Sequence, residues 1–246
     1  MIIHKISNRI KKYSAIAAAC ALLKAFTPSV VNADDISKGM RGPTNWQIDE
    51  RVFYLKNQQG LESLTNTLFF KCWDNTKWGF AIASYKWGSS GKGTTDITLG
   101  GGPQFTSGNF YFLPYAAITL PTGELSNQRF DEKIGVLATY LNDNKKFEVD
   151  LALQYAFTGK NNQGINPPNE LYVGMVSGGK LTSKIRGVAG VTVLRKDNSD
   201  YLLNLRSVLR YTFSRAVHIE LVGDMSISSN NIPKKKDVGL QLRWNF

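Results

Sequence analysis

The last nine residues, Val238-Gly239-Leu240-Gln241-Leu242-Arg243-Trp244-Asn245-Phe246, alternate apolar and polar side chains without a break. Val238, Leu240, Leu242, Trp244 and Phe246 share one face; Gly239, Gln241, Arg243 and Asn245 share the other. A period of two belongs to a β-strand, because successive side chains leave a strand on opposite sides. A run of this length, apolar on one face and ending in aromatics, fits a lipid-facing barrel strand. A strand of a soluble sandwich carries the same alternation, so the rest of the chain has to decide.

Eleven further segments alternate in the same way, separated by turn residues. The first, about Trp46 to Leu55, sets Trp46, Ile48, Val52 and Tyr54 against Gln47, Asp49 and Arg51. In the seventh, Phe147, Val149, Leu151, Leu153, Tyr155 and Phe157 oppose Glu148, Asp150, Ala152 and Gln154. The third is marked by Trp78, Phe80 and Ile82, and the fifth, Phe110 to Leu120, is apolar on both faces, so the orientation of these two stays open. Connections after even-numbered strands are short, as at Asp74 to Thr76 and Ser214 to Ala216. Those after odd-numbered strands include Pro121 to Asp131, Gly159 to Pro168 and Ser226 to Lys235. Short turns at one end, long loops at the other and an even strand count predict an all-β fold: a single antiparallel up-and-down transmembrane β-barrel of twelve strands with both termini on the periplasmic side. Lipid offers an open sheet edge no hydrogen-bond partner, which also favours closure. Two aromatic girdles are expected, with Trp46, Trp73, Trp78, Phe105, Phe110, Phe147, Phe213, Trp244 and Phe246 at one end and Tyr54, Tyr85, Trp87, Phe157 and Tyr201 at the other.

The amino-terminus reads as a targeting segment. Lys5, Arg9, Lys11 and Lys12 precede the apolar run Ser14 to Leu23, and Val31-Asn32-Ala33 precede Asp34-Asp35. A basic region, a short apolar region and a small-residue cleavage site make a secretory signal peptide of residues 1–33, ending at Ala33. Cys20 raises lipoprotein processing as an alternative, although Ala17 stands where Leu is usual. The apolar run is too short to span a bilayer as a helix. The predicted organisation is therefore signal peptide 1–33, periplasmic lead-in 34–45 and barrel 46–246. Cleavage removes Lys5, Arg9, Lys11, Lys12 and Lys24 and no acid, nearly half of the formal charge of +11. What remains is scattered through the strands, so nucleic acid is not an expected partner. Cys72 is left without a cysteine to pair with and reads as a small lipid-facing residue.

Thr95-Asp96-Ile97-Thr98-Leu99-Gly100-Gly101-Gly102-Pro103-Gln104-Phe105, leading into Leu113 to Leu120 and Pro121-Thr122-Gly123-Glu124, resembles the outer-membrane family linked to the MetA pathway of phenol degradation. The motifs cover about 30 residues. Leu-Pro-Thr-Gly is also a sortase signal, but here it lies mid-chain with no apolar tail behind it. The resemblance implies a transporter-like barrel taking up small, aromatic or apolar compounds, and it brings no catalytic motif. The ending itself resembles the terminal signal of outer-membrane barrels, which makes Trp244 and Phe246 the expected assembly signal, read by the barrel-assembly machinery. The implied location is the outer membrane of a Gram-negative bacterium, reached by secretory export.

With the outward faces assigned, the lumen-lining candidates are Asp49, Arg51, Lys71, Asp96, Glu148, Asp150, Lys184, Arg186, Arg206, Arg210, His218, Glu220, Asp224 and Arg243. Adding Lys77, the charged set holds eight basic and six acidic residues, close to balance. A tight turn at Ser214 to Ala216 predicts Arg210 opposite Glu220 and Arg206 opposite Asp224. These pairs read either as mutually neutralising wall charges or as a polar constriction that orients a dipolar solute. His218 would need a nucleophile for hydrolase chemistry; of the nearby serines, Ser207 has outward parity, and Ser214 and Ser226 complete the set. No catalytic, metal or cofactor site is expected. The expected function is a passive channel or uptake protein for small molecules. The alternatives are an interaction barrel with a filled lumen, binding through Asn161 to Asn169 and Ser228 to Lys236, and a membrane-embedded hydrolase.

Overall fold

The computed structural model describes residues 45–246 apart from 75, 90, 127, 144, 145, 162 and 215. The expected signal peptide, with Cys20, and the lead-in up to residue 44 lie outside the described residues. Fourteen strands follow in order: β1 (Asn45–Asn57), β2 (Glu62–Trp73), β3 (Lys77–Gly88), β4 (Gly91–Thr94), β5 (Ile97–Pro103), β6 (Phe105–Ser107), β7 (Phe110–Leu120), β8 (Asp131–Leu141), β9 (Phe147–Phe157), β10 (Glu170–Lys180), β11 (Ile185–Lys196), β12 (Tyr201–Thr212), β13 (Val217–Asn230) and β14 (Lys235–Asn245). Each long strand pairs antiparallel with its sequence neighbour, β1 pairs with β14, and β2 with β3 closes the ring. The short β4 and β5 both pair with β3, while β5 and β6 both pair with β7, so these three pieces fill one position in a closed wall of twelve strands.

The alternation dictates the two faces of this wall. Leu151, Leu153, Leu205, Leu209, Leu221 and Leu240 are exposed on the outside, where none of the described residues covers them. Strands of 11 to 14 residues are long enough to cross the apolar part of a bilayer when tilted. No helix among the described residues is long and apolar enough to cross a membrane, a test that has no bearing on strands.

The turns at one end are tight. Asn142 Oδ1 accepts from the backbone N–H of Lys146 and Phe147, and Ser214 Oγ accepts from those of Ala216 and Val217. In the β2–β3 turn, Asp74 Oδ1 accepts from Thr76 N at 2.7 Å, Thr76 Oγ1 at 2.8 Å and Lys77 N at 2.9 Å. Burial pushes this carboxyl up, but those three donors outweigh it and hold Asp74 below its ordinary range. At the other end the β7–β8 and β9–β10 connections are the long ones. The expected loop at Ser226 to Lys235 is mostly strand: Ser228 and Ser229 pair with Leu203 and Leu202, and Met225 pairs with Lys236. Its serines and asparagines suggest a loop, yet β13 runs on through Asn230 and its serines continue the ladder with β12.

The halves of the glycine-rich and Leu-Pro-Thr-Gly motifs meet at this end. Asp96 Oδ1 accepts from Gly123 N at 3.2 Å, Thr122 Oγ1 accepts from Ile97 N at 3.2 Å, and Thr94 Oγ1 accepts from Glu124 N at 3.2 Å. A Cβ on Gly123 would meet the Thr95 carbonyl carbon at 2.4 Å, so the approach requires glycine.

Candidate functional site in the barrel interior

Inward-facing residues of β12, β13, β14 and β1 make an ionic wall. The strand register sets Asp49 opposite Arg243, Arg243 opposite His218, and Arg210 opposite Glu220. Asp49 is 0% exposed, and its carboxylate is saturated. Oδ1 accepts from Gln47 Nε2 at 2.8 Å and Arg243 Nε at 2.9 Å; Oδ2 accepts from Gln241 Nε2 at 3.0 Å, Arg51 Nη2 at 3.2 Å and Arg243 Nη2 at 3.3 Å. Arg243 extends the chain to Glu220 Oε1 at 3.2 Å, which also receives Arg210 Nε at 2.5 Å. A buried ion that loses its partner costs about 3–5 kcal/mol, so this group is fixed as a unit. Nearer the loop end, Arg206 meets Asp224 at 3.1 Å and Lys235 meets Asp237 at 2.8 Å. On the adjoining wall Arg186 pairs with Glu148 across β10, where Gly178, opposite Glu148, adds no side chain to obstruct it. Asp150 accepts from Thr139 Oγ1 at 2.6 Å.

The opposite wall is built differently. Around Trp78 the inward residues of β3, β5, β7 and β8 are mostly aromatic, aliphatic or glycine, with Lys133 and Thr139 as polar residues on the same face of β8. Trp73, Trp78 and Leu113 are buried together, with Phe80, Tyr115 and Leu137 packed on them. The Trp78 and Phe80 rings stack at 5.3 Å, and Tyr115 meets each edge-on at 5.6 and 5.8 Å. Glycine makes this possible: a Cβ on Gly100 would lie 2.6 Å from Phe80 Cζ, and one on Gly135 would lie 2.6 Å from Tyr115 Cζ. Tyr115 crosses Gly135 to donate its hydroxyl to Gln154 Oε1 at 2.9 Å.

The two walls meet at β2. Arg51 lies 5.2 Å from the Phe69 ring centroid, and Lys71 Nζ lies 5.9 Å from that of Trp73 and 6.0 Å from that of Trp78. Trp73 and Trp78 therefore leave the outer girdle in which the sequence pattern sets them: Trp73 shares the inward face of β2 with Lys71, and Trp78 follows because β3 turns its apolar face inward. The same inversion puts Lys77 on the other face, exposed. Lys184 lies in the exposed turn before β11 rather than in the lumen, and Asp96 sits at the rim, holding Gly123. His218 is 1% exposed, with Nδ1 3.0 Å from Thr212 Oγ1. Ser226 donates to Asn204, Ser214 serves its turn, and Ser207 faces outward opposite Gly223. Among the described residues no group of histidine, cysteine, aspartate and glutamate could hold a metal.

Sequence reasoning reaches the ionic wall but passes over Trp78, Phe80, Tyr115 and Lys133. For the last there is a signal, since a lysine between the apolar Ile134 and the acidic Glu132 on an alternating strand has inward parity.

Residues 32–240 match the model of a family described as "Putative MetA-pathway of phenol degradation". The fold is similar to that of the COG4313 outer membrane channel from Pseudomonas putida F1, with a TM-score of 0.69 and 12% identity over 88% of this chain and 100% of that one. It is also similar to the NanC porin, at 0.62 and 12% over 80% of this chain and 98% of that one. The KdgM porin is similar at 0.58 and 9%, over 81% of this chain and 99% of that one. Comparison with curated proteins gives no match.

Proposed function

Because the chain belongs to that MetA-pathway family, we propose that it acts in the outer membrane as a passive channel or uptake barrel for small molecules with aromatic or apolar bodies. The observation that carries this reading is the exposure of inward polar groups inside a closed ring: the side chains of Arg51 and Arg206 keep 32% and 34% of their surface open although both face the interior. Water reaches them there, and a water-filled path flanked by an aromatic wall suits solutes with an apolar body and a polar end. The porins and the channel of similar fold support the same reading. In this proposal residues 1–33 direct export, the outer belt contacts lipid, and the strand ending at Trp244 and Phe246 is read by the barrel-assembly machinery.

A second reading, an interaction barrel with a filled lumen, draws on the buried cluster of Trp73, Trp78 and Leu113. Its binding segments would be Asn161 to Asn169 and the outer ends of β13 and β14. Single-channel recording in a planar bilayer separates the two. Discrete current steps are expected from the folded, heat-modifiable barrel, and a barrel that passes no current overturns the channel.

A further inference from the structure

Several cations line the interior. Arg51, Arg186, Arg206, Arg210 and Arg243 each hold a carboxylate. Lys71 and Lys133 form no ion pair among the described residues. The register places both on one cross-strand row: Lys71 opposite Phe80, Phe80 opposite Gly100, Gly100 opposite Ala117, and Ala117 opposite Lys133. Four strand spacings of about 4.8 Å separate the two ends, before curvature brings them closer. Between two unpaired ammonium groups the wall thus presents one flat ring and two residues too small to block it.

A separate observation points to the same place. Trp73 and Trp78, whose rings flank Lys71, each bury an indole Nε1 that has no acceptor among the described residues. Buried donors are nearly always satisfied, so two adjacent exceptions beside an unpaired cation call for an acceptor. The neighbouring carboxylates do not supply it: Asp49 is saturated by its own wall, and Asp150 is engaged by Thr139.

We propose that this row is a solute-binding site for small organic anions with a flat apolar body, the carboxylate drawn to Lys71 and the ring laid along Phe80, with Lys133 attracting the same anion from the loop end. This rests on the channel reading and adds the charge of the solute. Ammonium groups on the wall of a narrow channel favour anions, and an aromatic face at van der Waals distance selects flat partners.

Benzoate is the probe, with neutral benzamide and cationic benzylammonium as its controls. Across a tenfold potassium chloride gradient the wild-type barrel should prefer chloride. Added benzoate should reduce the chloride current, whereas benzamide and benzylammonium should not. Lys71→Gln should weaken benzoate block about tenfold or more and shift the reversal potential toward zero selectivity; Lys71→Arg should retain both, and Lys133→Gln should have a smaller effect. Potassium preference in the wild type, or equal benzoate block in wild type and a heat-modifiable Lys71→Gln barrel, overturns the inference. If the wild type passes no current, the channel reading fails on its own. Tryptophan fluorescence of the detergent-solubilised barrel then decides this one: saturable benzoate quenching that Lys71→Gln removes supports the site, and unchanged quenching overturns it.

Discussion

The ionic wall of β12, β13, β14 and β1 and the aromatic wall of β3, β5, β7 and β8 line the same lumen and are held by opposite means. Around Asp49 five directional bonds converge on one carboxylate, so each partner's position is dictated by the others. Around Trp78 shape does the work, with rings seated on glycines that have no side chain to displace. One wall cannot lose a member without stranding a charge, whereas the other loses only contact area and leaves a space. A lumen with one rigid polar side and one smooth apolar side is suited to solutes that are themselves two-sided.

Removing the hub of the ionic wall is the strongest way to break this contrast. Asp49→Ala strands Arg51, leaves Arg243 with Glu220 alone and should cost about 3–5 kcal/mol of stability, read by urea unfolding of the barrel in vesicles. Trp78→Ala on the other wall should cost about 3 kcal/mol by the same measurement while raising single-channel conductance, because the vacated volume opens onto the lumen. If Trp78→Ala lowered conductance instead, the aromatic wall would not line the path. A double-mutant cycle on Arg206 and Asp224 should return a coupling of only about 1 kcal/mol, falling with added salt, since Arg206 is partly solvated. The smallest effect is expected at the seam, in the β2–β3 turn. The folded pKa of Asp74 is depressed, so its contribution is present above the unfolded value of 3.8 and lost as pH falls through the folded value. Exposure screens it to a few tenths of a kcal/mol. The difference in unfolding free energy between wild type and Asp74→Asn should therefore shrink as pH is lowered below about 4, and a difference independent of pH would remove the turn carboxylate from the account.

The outer face was legible in the sequence because lipid imposes one requirement on every strand. Leu151, Leu209 and Leu240 satisfy it identically, and on β12, β13, β14 and β1 the charged residues between such positions label the inner face by contrast. That contrast let the pairs Arg210–Glu220 and Arg206–Asp224 be placed from the turn at Ser214 alone, and the register agrees. On β3 and β7 both faces are apolar, so period two identifies a strand without saying which side meets lipid. Trp78 and Phe80 could not be oriented for that reason. Phe80 is seated on Gly100, and the Tyr115 that packs on both rings is seated on Gly135, a complementarity across the sheet that no single segment carries. Lys71 was legible as an inward cation; its lack of an ion pair was not, since that depends on where Asp49 and Asp150 spend their bonds.

Beyond its own strand, Asp49 takes all its hydrogen bonds from β14, through Gln241 and Arg243. The last strand of the chain is therefore also the counter-ion of the first. Until those two strands zip together, a carboxylate at membrane depth has only Gln47 and Arg51 to answer it, and partial zipping leaves that debt standing. Neutralisation and ring closure become one event, which leaves a half-closed sheet no stable resting place in lipid.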